Sequence, residues 1–266
     1  MKKVGILSAM ALGTLAFLMV PMMSWAGGTI EGKVSFSGKP PAAKEFLFSK
    51  FPNPKFCVKN PSKDAKGEKR LLHEVEVGKD GGLKGAVVAI QGITDEKFVA
   101  EFKGDEIQAE LCEFKPYTTV VVADQKSFRV MNHDADPDDP KSVKGVLHNP
   151  HSFEQMGASS TTIFNIALPE KDKGLDKPIK LRKAAQGSVL RMQCDQHEFM
   201  QTWGLPITNP YYAVVGEDGK FEIKDVPAGK YKLVAWHPAL NGKKPIEQEI
   251  EVKDGAQANA KFEFKP

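Results

Sequence analysis

The chain has 266 residues, with 37 basic and 34 acidic side chains, a formal charge of +3 and three cysteines. Charge is nearly balanced and the basic residues are scattered, with no strongly basic patch interleaved with aromatics, so nucleic-acid binding has no electrostatic support. The length is enough for one large β domain or two small ones with real cores.

Residues 1–26 carry Lys2 and Lys3, an apolar run from Val4 to Val20, and Ser24-Trp25-Ala26 before Gly27. A charged start, an apolar middle and a small-residue cleavage site make a secretory signal. The alternative is an uncleaved anchor, but the run sits at the short end of what spans a bilayer. No other stretch is long enough to cross. The expected location is the periplasm, with no membrane span after cleavage. Without the two leader lysines the balance is 35 basic to 34 acidic residues.

Beyond the leader the pattern is mostly period two. Ile30, Gly32, Val34 and Phe36 alternate with Glu31, Lys33 and Ser35 as a half-buried strand does, and Gly38-Lys39-Pro40-Pro41 ends it. Residues 41–70, rich in Lys, Pro and Asn, read as an irregular surface connection tethered through Cys57. Strands are expected at His73–Val77, Ala86–Ile90, Thr118–Ala123 and Ser127–Met131, with a helical turn within Thr94–Phe102. Others follow near Thr161–Leu168, Pro178–Arg182 and Ser188–Gln193, the last delivering Cys194 at its end. From Tyr211 onward Phe221 and Ile223, then Tyr231, Leu233 and Ala235, share a face each, with Asp-Gly and Pro-x-Gly turns between them. Strands at Ile246–Val252 and Ala258–Phe264 close this compact module. Short strands at this spacing make the chain all-β, a sandwich or barrel.

Three cysteines in an exported chain leave one outside any disulfide. Cys57 and Cys112 stand in ordinary strand-and-turn context with no histidine at ligand spacing and are expected to pair; Cys194 is left for a metal. It opens the run Cys194-Asp195-Gln196-His197-Glu198-Phe199-Met200, and His148 lies upstream in Leu147-His148-Asn149. A thiolate, two imidazoles and a weak thioether suit one copper ion that cycles between Cu(I) and Cu(II), because soft sulfur favours the reduced ion and imidazole serves both. Asn149 is placed to hydrogen-bond across to the cysteine loop. His151 is three residues past His148, and strand alternation points it to the opposite face. His133 and His73 read as surface or turn residues, and His237 as a strand-end hydrogen-bonder. The acidic run Asp134, Asp136, Asp138, Asp139 lacks the glycine and terminal glutamate of a calcium loop and reads as solvated.

The segments Leu147–Phe153 and Cys194–Met200 together resemble the cupredoxins, the ligand loop most closely amicyanin, over roughly Leu72 to Trp203. The resemblance implies a Greek-key β-sandwich with His148, His197 and Cys194 as ligands, Met200 as axial ligand and Asn149 as the tie. The insertion Asp134–Lys144 departs from the pattern. Residues 211–236, together with Gly28–Gly38, resemble a carboxypeptidase regulatory-like or transthyretin-like sandwich. The expected organisation is therefore a signal over 1–26, a cupredoxin-like domain over 27–205, with 27–70 open to belonging to the second module, and a smaller sandwich over 206–266.

The resemblance further implies a non-enzymatic one-electron carrier. Its partner would be a periplasmic redox protein, such as a c-type cytochrome or a dehydrogenase, docking on an apolar patch of Phe199, Trp203, Leu205 and Pro206 around His197. Copper trafficking, or a structural module with a vestigial site, uses the same residues and stays open. The chain has none of the His-x-His pairs of a multicopper oxidase, and a cysteine protease would give Met200 and Asn149 no role.

Overall fold

The computed structural model describes residues 27–266; the secretory signal expected over 1–26 lies outside the described residues. The fold is all-β, with only short helices such as Pro54–Cys57 and Glu96–Glu101. Its strands form two sandwiches, each with its own apolar core.

The alternation in the first strand explains its place. Ile30, Val34 and Phe36 are buried, with Glu31, Lys33 and Ser35 partly exposed. Gly28–Phe36 lies between Lys220–Val226, which it pairs antiparallel, and Gln257–Phe264, which it pairs parallel. Gly32 is required by close approach, since a Cβ there would sit 1.8 Å from the Ala260 carbonyl oxygen. This sheet packs against a second one ordered Tyr212–Val214, Val87–Gln91, Gly229–Trp236, Ile246–Val252.

The other sandwich has a five-stranded sheet ordered Ser159–Asn165, Pro150–Met156, Val189–Cys194, Gln201–Pro206, Thr118–Val121. Facing it is a four-stranded sheet ordered Lys173–Lys177, Phe128–Asn132, Ile107–Ala109, Phe114–Lys115. The segment 41–70 is more ordered than its composition promised. Lys44–Leu47 and Lys69–Leu72 pair as a hairpin-like strap, with Phe48–Lys50 and Pro54–Cys57 as helical turns between them. No strand forms at His73–Val77, where only Val77 bridges to Leu83. In place of one at Pro178–Arg182, the ladder uses Lys173–Lys177 on Phe128–Asn132. Ile179 and Leu181 are buried singly, their N–H groups on Gln125 and Ala123.

The sheets do not divide the chain between 205 and 206. Strands at Gly28–Phe36 and Val87–Gln91 are built into the C-terminal sandwich. The two sandwiches are also fastened to each other. Val88, Ile90, Leu233 and Ala235 face the C-terminal core, while Val87, Ala89, Val234 and Trp236 turn the other way onto Val120, Val189, Trp203 and Leu205. These strands are buried on both faces, which is why Val87–Ile90 and Leu233–Trp236 read as continuous apolar runs. Trp236 is fully buried in this middle layer and donates its indole N–H to the Lys243 carbonyl at 2.9 Å. Replacing it with alanine should cost about 3–5 kcal/mol, as for large aromatic truncations. Both sandwiches should then unfold together at lower denaturant; two separated transitions, with the N-terminal one unmoved, would contradict the shared layer.

Candidate metal centre

The register of two neighbouring strands builds the site. Pro150–Met156 pairs antiparallel with Val189–Cys194, setting Pro150 beside Cys194 and leaving His148 and Asn149 just before the pairing begins. Met192 and Cys194 face the core, as period two demands. The loop after Cys194 is closed by its own backbone: His197 N–H donates to the Cys194 carbonyl (3.2 Å), Met200 N–H to His197 (2.8 Å) and Cys194 N–H to Met200 (3.1 Å).

His148, Cys194 and His197 converge and are fully buried. Cys194 Sγ lies 3.9 Å from His148 Nδ1 and 3.8 Å from His197 Nδ1. The two imidazole centroids are 5.3 Å apart. Sγ also accepts the Asn149 backbone N–H at 3.2 Å. Asn149 ties the segments through its main chain, since its carbonyl takes the Asp195 N–H at 3.0 Å. Its side-chain oxygen takes no part, since Asn149 Oδ1 is buried without a partner. Met200 is fully buried in the same core. Cys57 and Cys112 are joined by a disulfide. Their sulfurs lie beside His197, within 4.8 Å of a ring nitrogen, but committed to each other they offer no thiolate.

Burial by itself pushes the Cys194 thiol up, yet the neighbouring His148 and His197 rings outweigh it and bring it down to about 6. Burial likewise opposes charge on His148, and the bonds to Asp134 and Cys194 overcome it, raising the ring to about 9. Near neutral pH the metal-free pair is therefore thiolate and imidazolium. A soft divalent or monovalent ion would replace that proton.

Sequence reasoning missed three partners of the donors. Asp134 Oδ2 is 2.8 Å from His148 Nε2, and the Pro52 carbonyl is 3.0 Å from His197 Nε2. Pro52 lies 145 positions from His197, and Asp134, 14 positions before His148, reads as part of an acidic surface run. The third is the aromatic cover over the loop. Phe199 is packed by Phe46, Phe48 and Phe51, at centroid distances of 5.8, 6.2 and 5.1 Å, with the Arg70 guanidinium 5.8 Å from its ring. This corrects the apolar docking patch. Phe199 is 1% exposed beneath the strap, while Trp203 and Leu205 are buried between the sandwiches and Pro206 is half-buried in a strand. His197 itself has no exposed edge.

The remaining histidines sit apart. His151 contacts Asp195, Thr162 and Asn165, and His133 contacts Asp172. His237 is buried and accepts the Ala239 N–H; desolvation pulls it down to about 4, so it is neutral. The acidic run is not wholly solvated either, since Asp134 and Asp136 are 1% and 5% exposed.

Residues 199–260 match the family model of polysaccharide lyase family 4, domain II. Rhamnogalacturonate lyase B of Emericella nidulans is 32% identical over 76 residues, covering 28% of this chain and 12% of that protein. The chain thus spans a small part of the relative it matches. No solved structure matches. These findings correct the cupredoxin assignment, and with it the one-electron carrier, copper-trafficking and vestigial-module roles: the family returned is one of polysaccharide lyases. They also replace the carboxypeptidase regulatory-like reading of the C-terminal sandwich, and the non-enzymatic reading, because the match is to an enzyme family. His148, Cys194 and His197 lie outside the matched span, and Met200 lies inside it. Among the described residues no helix is long and apolar enough to cross a membrane.

The strap and its disulfide close the centre from one side. The bond links residues separated by 55 positions, a loop whose closure contributes on the order of 4 kcal/mol in the chain-entropy account. Reduction by a phosphine should lower unfolding stability by about that amount, read from denaturant midpoints. An unchanged midpoint with both thiols titrated free would show that the strap holds without it.

Proposed function

We propose that this chain is an exported protein that holds one soft transition-metal ion, copper by its donor chemistry, and is directed at polysaccharide through its C-terminal sandwich. The observation that carries the first part is the approach of Cys194 Sγ to two imidazole Nδ1 atoms in a fully buried pocket. One thiolate and two imidazoles suit copper, and the Met200 thioether is the natural weak fourth donor. When bound, the ion would supply a redox-capable, Lewis-acidic centre. The protein's own part is to keep the donors dry and fixed, with the Asn149 N–H steadying the sulfur. Export to the periplasm fits the leader-like residues 1–26 and the disulfide.

The second part rests on the match over 199–260. The surface groove in that span, lined by Lys230, Tyr231, Lys232 and Glu249, is the candidate face for a sugar chain. Rhamnogalacturonan is the first polymer to test, by binding and by ultraviolet detection of the unsaturated product that a lyase leaves. Neither binding nor product would remove the polysaccharide half of the proposal without touching the metal half.

Metal analysis after loading should find one copper per chain in the wild type and none in Cys194→Ser; equal loading of the two would sink the site. Affinity should also depend on pH in a defined way. Between neutral pH and about 9, Cys194 is already thiolate and the proton that must leave is on His148. Apparent affinity should therefore rise about tenfold per pH unit in that window and level off above it, as a proton-coupled metal site requires. A competition titration that is flat across the window would contradict the ion-pair state.

A further inference from the structure

Asp134 stands in the segment that reads as an acidic surface loop, yet it is 1% exposed and each carboxylate oxygen is engaged. Oδ1 accepts the Leu111 N–H at 2.6 Å, while Oδ2 lies 2.8 Å from both the Cys112 N–H and His148 Nε2. Leu111 and Cys112 are the central pair of a tight hairpin turn in which Glu110 and Glu113 exchange both backbone hydrogen bonds. Both have left-handed backbone, at φ 50° and 54°. For side chains such as these that conformation costs roughly 1–2 kcal/mol per residue, and it persists only where the surroundings over-determine it. Here the surroundings are the Asp134 carboxylate, which takes both turn N–H groups, and the disulfide at Cys112. Asp134 is itself held, its N–H donating to Asn132 Oδ1 at 2.9 Å, while the Asn132 amide donates to the Val146 and Leu168 carbonyls.

A carboxylate that already accepts from two amides can only accept again, so the ring nitrogen facing it must carry the proton. We propose that Asp134 is a positioning residue of the centre: it fixes Nε2 as the nitrogen of His148 that keeps its proton, so that Nδ1, facing Cys194, is the one that gives its proton up and offers the lone pair. The Pro52 carbonyl, which can likewise only accept, does the same for His197. The two rings thus present the same nitrogen to the sulfur before any ion arrives, and the strap and the strained turn are what hold them so. The meaning of this arrangement for metal rests on the copper reading above. The tautomer itself does not.

The test is nitrogen NMR of 15N-labelled imidazoles in the metal-free full chain, followed across pH so that the neutral His148 ring is observed directly. Copper(I) competition titrations on the same samples accompany it. The wild type should show His148 protonated at Nε2 alone. Asp134→Asn keeps the size, but its NH₂ has to face either the Leu111 N–H or both the Cys112 N–H and the His148 ring. It should give mixed tautomers and a copper(I) affinity about 10–100-fold weaker, the usual cost of losing a group that orients a ligand. Asp134→Ala should do the same where it folds. A wild-type ring protonated at Nδ1 overturns the proposal, as does a folded Asp134→Asn protein with unchanged tautomer and affinity. A wild type that has the Nε2–H ring but binds no copper supports the positioning role and defeats the copper reading instead, so the two failures are distinguishable.

Discussion

The register that sets Pro150 beside Cys194 is the constraint on which the rest of the centre depends. Side chains alternate along a strand, so a slip of one residue would put Gln193 in the core in place of Cys194 and turn Met192 outward. The slip is opposed by more than the ladder. Asp195 N–H reaches the Asn149 carbonyl, and the Asn149 N–H reaches the sulfur itself, so the two segments are pinned where the donors must meet. Gln201–Pro206 then leaves the loop antiparallel to the strand that entered it, which fixes the span available to residues 195–200.

Burying such a cluster is expensive unless each polar atom finds a partner. Most of those in the cluster do. The sulfur has one N–H and two imidazoles, and each imidazole has an oxygen on its far side. Those oxygens come from the acidic segment and from the strap, and the disulfide joins the strap to the turn on which Asp134 rests. The aromatic residues of the strap close over Phe199 and exclude water from His197. The low dielectric that results strengthens the hydrogen bonds it encloses. The same groups that make the site dry are therefore the ones that hold its donors in place.

The sequence displayed the donors because cysteine, histidine and methionine at short spacing are chemically conspicuous, and it displayed strands because period two is local. It could not display the Pro52 oxygen, 145 positions from His197, nor that Asp134, in a run of acids that reads as solvated, turns inward to His148. Nor could it separate a surface aromatic from a buried one. Phe199 reads the same either way, and only the strap settles that it lies inside. The likeness of Gly28–Gly38 to the C-terminal module was legible, but not its partners, Lys220–Val226 and Gln257–Phe264, which lie near the other end of the chain. The wider resemblance misled because a few ligand residues weigh heavily in a family likeness, while the segment with a detectable relative is a sandwich whose pattern of apolar alternation is shared by many folds.

The matched segment and the donor cluster are neighbours by construction. Residues 199–260 begin inside the ligand loop, and Gln201–Pro206, the first strand of that span, is a member of the five-stranded sheet, paired with both Val189–Cys194 and Thr118–Val121. Only after Ile207 does the chain pass to the C-terminal sandwich, and there Val234 and Trp236 pack back onto Val189, Trp203 and Leu205. The matched span is therefore not a bead on a linker. Trp236, on the C-terminal sheet, packs directly on Trp203 and Leu205 of Gln201–Pro206, the strand that leads out of Met200. The two sandwiches share one buried layer, and it borders the strand that closes the loop after Cys194.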